Sequence, residues 1–353
     1  MKFVDVVAMN DEAKVGAALQ LAAQRGDYIQ GNAVCEFETA WSTFCNTQHC
    51  VAVGSGTDAL ILALAAMGIG AGDDVLVPAN TFIATVLAIA TNGARPVFVD
   101  IHPMELNITP VTVAAALTPN TKAIVVVHLM GRPVHIEGIR AVLPEHVQVL
   151  EDAAQAHGAS QLSGVAACHS FYPSKNLGAL GDAGAVVTND TELANNVRAL
   201  ANYGSYGPKH EYRVLGRNSR MDTLQASVLL AKLPFLKEWN ARRVVVAKWY
   251  TRALPPQVSI QTPHPNHVYH LFVIQTDQRD ELQAYLSDHD IPTGIHYPTP
   301  CHLQPLSCEQ PEGTCPVAED VAKKLLSLPM CPSTTHEDVL LVASVISEFY
   351  RNK

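Results

Sequence analysis

The fold of this chain is indicated by the stretch VQVLEDAAQAHG at residues 147–158. Its first four residues read as a strand, which the acidic pair Glu151 and Asp152 ends. Similar apolar runs, bounded by Gly, Pro or Asp and separated by helical patterns, precede it at residues 50–53, 75–78, 96–100 and 123–128. Strands buried on both faces and alternating with helices predict a mostly parallel α/β sheet flanked by helices. Ligands of such sheets bind outside the carboxyl ends of strands, which is where Asp152 lies.

A lone lysine follows the next strand. Lys175 lies in HSFYPSKNLG, residues 169–178, twenty-three positions after Asp152. A loop lysine is ordinarily a solvated charge. Beside an aspartate at a neighbouring strand end, however, it suits pyridoxal phosphate, because the lysine can form a Schiff base and the aspartate can keep the pyridine nitrogen protonated. The pair therefore predicts pyridoxal phosphate as cofactor, with Lys175 and Asp152 as catalytic residues.

A glycine-rich turn, GSGTD at residues 54–58, joins a strand to a helix. Glycines let the backbone approach an anion, and a helix N-terminus offers free N–H groups and the positive end of its dipole. Gly56 and Thr57 are therefore candidates to hold the phosphate, although an ordinary turn capped by Ser55 or Thr57 fits the same pattern. The turn is neither a Walker loop nor Gly-x-Gly-x-x-Gly, which disfavours ATP and dinucleotides.

Three more side chains are placed near the same cofactor by their positions in the sequence. Ser170, five residues before Lys175, could give its hydroxyl to the phosphate. Gln155, three residues after Asp152, could reach the ring hydroxyl. Phe82 follows a strand end and could lie flat on the pyridine ring, with packing in the core as the alternative.

The composition fits a compact globular protein. Of 353 residues, 48% are hydrophobic and 16% charged, and a net charge of −9 argues against general nucleic-acid binding. The N-terminus lacks the apolar core of a signal peptide and no run reaches membrane-spanning length, so we expect a cytoplasmic protein without membrane contact. The eight cysteines form no Cys-x-x-Cys pair and no His-Glu-x-x-His motif occurs, so we expect free thiols and no metal.

The chain is long enough for one large and one smaller domain. A helical pattern runs from Asp11 to Arg25, and a longer one runs from Met221 to Leu254 before a proline-rich break at residues 255–265. We predict a large cofactor-binding domain with an N-terminal arm at residues 1–235 and a smaller C-terminal α+β domain at residues 236–353.

Cations are concentrated in the segment KHEYRVLGRNSR, residues 209–220. A solvated basic loop is the plain interpretation. The alternative is a local site for an anionic substrate or phosphate, because electrostatic steering depends on the local field and not on the net charge of the chain.

Together these stretches resemble the sugar aminotransferases of the DegT/DnrJ/StrS family almost end to end. The resemblance implies the fold-type I pyridoxal phosphate architecture, with pyridoxamine phosphate as the intermediate form of the cofactor. Some relatives replace the lysine with histidine and dehydrate sugars, so Lys175 favours transamination. The matching motifs are GDYIQG at residues 26–31, GSGTDAL at 54–60, DAAQAHG at 152–158, SFYPSKNLG at 170–178, NSRMD at 218–222 and SLPM at 327–330.

The resemblance also implies a role for each matching residue. Lys175 would form the Schiff base, Asp152 would hold the pyridine nitrogen and Gln155 would lie beside the ring hydroxyl. Asn218 would reach the phosphate in the neighbouring subunit, so that a homodimer forms the active site. The remaining cofactor contacts would be Gly56, Thr57 and Ser170 to the phosphate and Phe82 stacked on the ring.

The same resemblance implies L-glutamate as amino donor and a nucleotide-linked keto-sugar as acceptor. Residues 216–220, 239–243 and 294–304 are similar to those of enzymes that aminate C3 of a dTDP-3-keto-6-deoxyhexose. Candidate substrate contacts are Tyr172, Arg220, His296 and Tyr297, with packing between the small domain and the cleft as the alternative for the last two. The rival functions are C4 amination of a UDP- or GDP-sugar, a pyridoxal phosphate-dependent sugar dehydratase and a non-catalytic nucleotide-sugar sensor.

Overall fold

The computed structural model describes residues 1–159, 161–207, 211–305 and 313–352. The predicted apolar runs lie in a seven-stranded sheet formed by β1 His49–Val53, β2 Asp74–Pro78, β3 Arg95–Val99, β4 Thr121–Val127, β5 Gln148–Asp152, β6 Ala166–Ser170 and β7 Gly184–Thr188. The spatial order is β1-β7-β6-β5-β4-β2-β3. β7 pairs antiparallel with β1 and β6, and all other neighbours in this sheet pair in parallel. The predicted mostly parallel sheet is confirmed.

Helices cover both faces of this sheet. In chain order the α-helices of the described residues are α1 Val6–Glu12, α2 Val15–Arg25, α3 Asn32–Cys45, α4 Gly56–Ala66, α5 Ile83–Thr91, α6 Pro110–Ala116, α7 Ile136–Arg140, α8 Thr191–Ala201, α9 Thr223–Lys232, α10 Leu236–Ala253, α11 Arg279–Asp288, α12 Pro316–Ala322 and α13 His336–Arg351. Side chains alternate across a strand, so Val51 and Val53 of β1 share a buried cluster with α4 and α5. Cys50 and Ala52 share the opposite cluster with α3 and α9.

A second, three-stranded antiparallel sheet lies in the C-terminal part of the chain. Its strands are β8 Ser259–Ile260, β9 Phe272–Gln275 and β10 Leu325–Leu328, in the order β10-β9-β8. Phe272 and Ile274 of β9 pack in a separate core with side chains of α10, α11 and α13. This core agrees with a smaller C-terminal domain, and the boundary after residue 235 stays a prediction.

Two predicted helices have the wrong bounds. The helix expected from Asp11 to Arg25 is two helices, because Lys14 adopts a left-handed backbone conformation (φ 52°) between α1 and α2. Asp5 begins α1 by accepting a hydrogen bond from the backbone N–H of Ala8. The region expected to be helical from Met221 to Leu254 is interrupted by a 3₁₀ turn at Leu233–Phe235. Pro234 lies in that turn, where its missing N–H and its ring oppose a continuous α-helix.

Neither a membrane span nor a metal cluster is found in the described part of the chain. No helix there combines the length and the apolar character needed to cross a bilayer. No group of three or more His, Cys, Asp or Glu side chains there is arranged to hold a metal ion. Seven cysteines in these ranges are free thiols, and Cys308 lies outside them.

Candidate active site

A cavity of about 400 Å³ opens at the carboxyl ends of β4 and β5, between the sheet and the segment that carries Lys175. Ten of the twelve predicted site residues line it: Gly56, Thr57, Phe82, Asp152, Gln155, Ser170, Tyr172, Lys175, His296 and Tyr297. The sequence analysis gave no place in the site to five other polar residues of the wall: Ser55, Thr81, Ser174, Asp182 and His270. The site is therefore assembled from segments more than two hundred residues apart in the chain.

Asp152 is the last residue of β5 and is buried at the base of the cavity. Its Oδ2 accepts a hydrogen bond from the hydroxyl of Thr85 at 2.9 Å, and its Oδ1 accepts one from the backbone N–H of Ala154 at 3.1 Å. Burial raises the pKa of this carboxyl, and the two donors oppose that shift. The two hydrogen bonds fix the plane of the carboxylate, while no ion pair reaches it among the described residues.

Thr85 itself is oriented by Thr81, whose hydroxyl lies 2.9 Å from that of Thr85. An ionised carboxylate only accepts, so Thr85 must donate to Asp152 and receive its own hydrogen bond from Thr81. Both threonines are buried. Thr85 in the first turn of α5 and Thr81 just before that helix thus hold the aspartate through two hydroxyl groups in series.

Lys175 follows a tight turn in which its backbone N–H donates to the carbonyl of Tyr172 at 2.9 Å. Its ammonium group has no hydrogen-bond partner within the described residues. Burial lowers the pKa of Lys175 to about 8, and the charge of Asp152 opposes this shift. About half of Lys175 is therefore the neutral, nucleophilic amine near pH 8, and about a tenth of it near pH 7.

The first residue of α4, Gly56, approaches Ser170 so closely that only glycine fits at this position. A Cβ on Gly56 would lie 2.5 Å from Cβ of Ser170. Ser55 caps the helix by accepting from the N–H of Asp58 at 3.1 Å. The backbone N–H groups of Gly56 and Thr57, which line the cavity, have no partner within the helix. The helix end and the Ser170 hydroxyl together form a seat for an anion.

The side-chain amide of Gln155 has a fixed orientation. Its Oε1 accepts a hydrogen bond from the backbone N–H of Met130 at 2.6 Å, so the amide must turn its Nε2 toward Tyr297, 3.4 Å from the phenol oxygen. Gln155 therefore offers an N–H donor to the cavity, which is what a ring oxygen requires.

Aromatic rings form one wall. Phe82 is 51% exposed at the cavity mouth, so the alternative that it packs in the core is wrong. Its ring centroid lies 5.5 Å from that of Tyr297. His296 lies against Tyr297 and against Phe3 of the N-terminal segment, and its Nδ1 is 2.9 Å from the hydroxyl of Ser327. Burial lowers the pKa of His296 to about 4, so this ring is neutral at physiological pH.

Two predicted residues, Asn218 and Arg220, do not line this cavity. Asn218 is exposed. Arg220 donates to Oδ1 of Asn202 at 3.1 Å and lies over the ring of Tyr203. Between them in the sequence, the hydroxyl of Ser219 donates a hydrogen bond to Asp58 in the first turn of α4 at 2.7 Å. Of the basic segment, Lys209 and His210 lie outside the described residues.

The cavity can hold pyridoxal phosphate. It provides a buried carboxylate without a cationic partner, a free amine, an amide donor and an anion seat, as the pyridine nitrogen, aldehyde, ring oxygen and phosphate of that cofactor require. Asp152, Lys175, Gln155 and the Gly56–Ser170 seat would be the residues that hold it.

The sequence matches the model of the DegT/DnrJ/EryC1/StrS aminotransferase family over residues 10–347. It is 42% identical, over 363 residues, to the dTDP-3-amino-3,4,6-trideoxy-alpha-D-glucose transaminase of Streptomyces venezuelae, covering 98% of this chain and 95% of the relative. It is 43% identical, over 350 residues, to the erythromycin biosynthesis sensory transduction protein EryC1 of Saccharopolyspora erythraea, covering 95% of each.

Solved structures show the same fold. S. venezuelae DesV in complex with a ketimine intermediate superposes with a TM-score of 0.94 at 40% identity, covering 99% of this chain and 98% of that one. The Bacillus subtilis protein ntda with bound cofactor PMP superposes with a TM-score of 0.92 at 31% identity, covering 98% and 85%.

Proposed function

Because the chain belongs to the DegT/DnrJ/EryC1/StrS aminotransferase family, we propose that it moves an amino group from L-glutamate to C3 of a dTDP-3-keto-6-deoxyhexose. It is a pyridoxal phosphate-dependent nucleotide-sugar aminotransferase. The meeting of Lys175 and Asp152 in one cavity carries the proposal, because these two groups are the ones that transamination on this cofactor needs.

When bound, pyridoxal phosphate supplies the electron sink that makes the Cα proton of an amino acid removable. Nζ of Lys175 takes that proton from the donor, and later returns a proton to the sugar carbon that receives the amine. The carboxylate of Asp152 would place a negative charge beside the ring nitrogen. Hydrogen bonds from Thr85 and Ala154 hold this carboxylate in place. The donor's 2-oxoglutarate leaves before the keto-sugar binds, which gives ping-pong kinetics.

The choice of C3 and of dTDP is supported by a relative. The Streptomyces venezuelae protein named as a dTDP-3-amino sugar transaminase matches almost the full length of this chain. The name of the EryC1 relative favours a sensor as the second candidate. A sensor has no need of a free catalytic amine, and in this chain both Lys175 and Asp152 lie in the cavity.

The absorbance spectrum of the purified protein tests the proposed activity. We expect a yellow band from the cofactor bound at Lys175, and we expect L-glutamate to bleach it to the pyridoxamine form. Subsequent addition of a dTDP-3-keto-6-deoxyhexose should restore the band and yield an amino sugar, detectable by mass spectrometry. A protein that stays colourless with added pyridoxal phosphate would refute the aminotransferase and favour the sensor. A converted sugar that has gained no amine would indicate a dehydratase.

We also propose that the active site is completed by a second copy of this chain. The described residues that line the cavity include one lysine, no arginine and two aspartates, Asp152 and Asp182. The cofactor phosphate, glutamate and a nucleoside diphosphate are all anionic. One protomer therefore lacks the positive charge that its ligands need. The segment that carries Arg213, Arg217 and the exposed Asn218 would supply it from the neighbour, with Arg213 and Arg217 exchanging their ion pairs with Glu211 and Asp58 for the anionic ligands.

Exposed apolar side chains support the same dimer. Tyr28, Ile29, Leu180 and Tyr203 are each between 42% and 54% exposed. Each of them contacts the segment at residues 217–225 directly. Tyr28, Leu180 and Tyr203 do so through a hydrogen bond of their own backbone and Ile29 through a β-bridge. Apolar groups exposed around one segment are typical of a protein interface. The surface around Asn218 is therefore the proposed contact between the two copies.

Asn218→Ala should weaken cofactor retention about tenfold, the loss expected for one hydrogen bond to a phosphate. Dialysis followed by absorbance at limiting pyridoxal phosphate measures it, with the exposed Asn266→Ala as matched control. A dimer of one Asn218→Ala chain and one Lys175→Ala chain has one complete composite site, so at limiting pyridoxal phosphate its activity should exceed that of either parent dimer. Absence of this gain in purified mixed dimers would contradict the shared site.

A further inference from the structure

Ser219 is a buried residue to which the mechanism above gives no role. Its hydroxyl group contacts the glycine-rich turn at residues 54–58 at both ends. Oγ of Ser219 lies 3.1 Å from the backbone nitrogen of Gly54, the first residue of the turn, and 2.7 Å from Oδ2 of Asp58, the last. The residues between these two ends line the cavity and supply the helix end of the anion seat.

The direction of both hydrogen bonds follows from the partners of the hydroxyl. The carboxylate of Asp58 can only accept, so the hydroxyl hydrogen of Ser219 points to Asp58. The backbone N–H of Gly54 can only donate, and it donates to a lone pair of the same oxygen. One serine therefore satisfies an N–H at one end of the turn and a carboxylate at the other, and bridges the two ends.

The position of Ser219 is set from outside the turn. Its backbone N–H donates to the carbonyl of Ala201 at 2.9 Å, and that of Arg217 donates to the carbonyl of Leu200 at 2.8 Å. Both carbonyls belong to the end of α8, which packs against α4. Because α8 holds the backbone of Ser219, the hydroxyl has a fixed place from which it can hold the turn.

The same hydroxyl controls where the charge of Asp58 lies. Asp58 is in the first turn of α4, where its carboxylate would repel a phosphate bound at the helix N-terminus. Its carboxylate is held instead by Ser219 at 2.7 Å and by Arg217 at 3.4 Å, and none of these three is among the described residues that line the cavity. When Arg217 exchanges this ion pair for a ligand in the neighbouring site, Ser219 remains as the partner of Asp58.

We propose that Ser219 is a positioning residue for the cofactor phosphate. By joining the two ends of the turn, its hydroxyl holds the N–H groups of Gly56 and Thr57 in the arrangement that binds the phosphate, and it keeps the carboxylate of Asp58 out of the seat. Ser219 acts within its own chain, whereas the preceding Asn218 is proposed to act on the neighbour. The inference rests on the proposed anion seat and adds the residue that holds its shape.

This role is tested by comparing the affinity for pyridoxal phosphate with that for pyridoxal, which has the same aldehyde and ring but no phosphate. Titration of the yellow band at Lys175 gives both dissociation constants. Ser219→Ala should raise the constant of pyridoxal phosphate about tenfold, the effect of losing one hydrogen bond to a charged group, and leave that of pyridoxal unchanged. Ser219→Thr keeps the hydroxyl and should restore the affinity.

Ser227→Ala is the matched control, because the hydroxyl of Ser227 bonds the carbonyl of Thr223 within α9 at 2.9 Å. This variant should change neither dissociation constant. Equal affinities of wild-type protein and Ser219→Ala for pyridoxal phosphate would overturn the proposal. An equal loss of affinity for both aldehydes would overturn it too, because the effect would then not act through the phosphate.

Hydrogen exchange of the Gly54 amide in cofactor-free protein measures the contact itself. In wild-type protein this N–H should exchange at least about tenfold more slowly than in an unfolded chain, and Ser219→Ala should remove most of that protection. If Ser219→Ala does not fold, the wild-type measurement decides, since an unprotected Gly54 amide would refute the bridge.

Mixed dimers separate this role from that of Asn218. The yellow band forms only in a chain that keeps Lys175, so it reports one site of a dimer whose other chain carries Lys175→Ala. Ser219→Ala in the chain that keeps Lys175 should weaken the binding of pyridoxal phosphate, and Ser219→Ala in the other chain should not. The opposite result would show that Ser219 acts on the neighbour through Asn218, and would overturn the proposal.

None of these measurements requires turnover, so failure of this proposal and failure of the proposed transamination are distinguishable. A protein that glutamate bleaches, but whose affinity for pyridoxal phosphate is the same with and without the Ser219 hydroxyl, would keep the enzyme and lose only the positioning role.

Discussion

Replacing Lys175 with alanine is expected to abolish transamination while leaving the fold intact. The side chain supplies both the nucleophile that anchors the cofactor and the base that moves the Cα proton, so the loss should exceed about 10⁴-fold. Its charged end makes no hydrogen bond within the described residues, and its removal therefore breaks no structural contact of that group. The measurement is the single-turnover bleaching of cofactor by L-glutamate, with circular dichroism as the check on folding.

The matched control is Lys248→Ala, which removes an exposed lysine from α10 and should leave the rate unchanged. A small primary amine added to Lys175→Ala should recover part of the proton transfer, because the truncated side chain leaves room for it beside Asp152. Full activity of Lys175→Ala without added amine would disprove the assignment of the catalytic base. Loss of activity together with loss of secondary structure would disprove the claim that the residue is structurally dispensable.

Much of the fold could be predicted because a short run of consecutive apolar residues indicates a strand that is buried on both faces. The runs at residues 75–78, 96–100 and 123–128 need no partner information to be recognised as buried strands. The direction of β7 is different. Its residues Gly184–Thr188 suit parallel or antiparallel pairing equally, and the choice is made by how the segment that carries Lys175 returns to the sheet.

In the site, too, some residues could be predicted from their own stretch of sequence, whereas others depend on contacts with residues far away in the chain. Asp152 ends β5 and Lys175 comes five residues after the end of the neighbouring β6, so their positions in the sequence were enough to predict that they meet. His270 could not be found in this way, because it joins the site through Asn176, ninety-four positions earlier in the chain, and no local pattern marks it. Thr85 was missed for a related reason: a threonine in the first turn of a helix is ordinary until a carboxylate is seen 2.9 Å away.

Asp152→Asn should lower the rate of the glutamate half-reaction by on the order of 10³-fold, the effect of removing a preorganised charge from a buried site. Asparagine has nearly the same shape, and its Oδ1 can still accept a hydrogen bond from Thr85. Cofactor should therefore bind while the ring nitrogen loses its proton. The rate of bleaching and ¹⁵N NMR of labelled pyridoxal phosphate measure these two effects separately.

Glu151→Gln is the matched control for this charge, because the neighbouring residue on the same strand loses the same unit of charge. Glu151 faces the other side of the sheet, where its carboxylate bonds His128 at 2.9 Å and the backbone N–H of Ser163 at 2.7 Å. The Glu151→Gln substitution should lower the unfolding temperature but leave the rate of bleaching by the folded enzyme unchanged. If both variants slow bleaching equally, the net charge of β5 matters and the position of Asp152 does not. If only Asp152→Asn does, and the ring nitrogen is unprotonated, the carboxylate acts through the pyridine nitrogen.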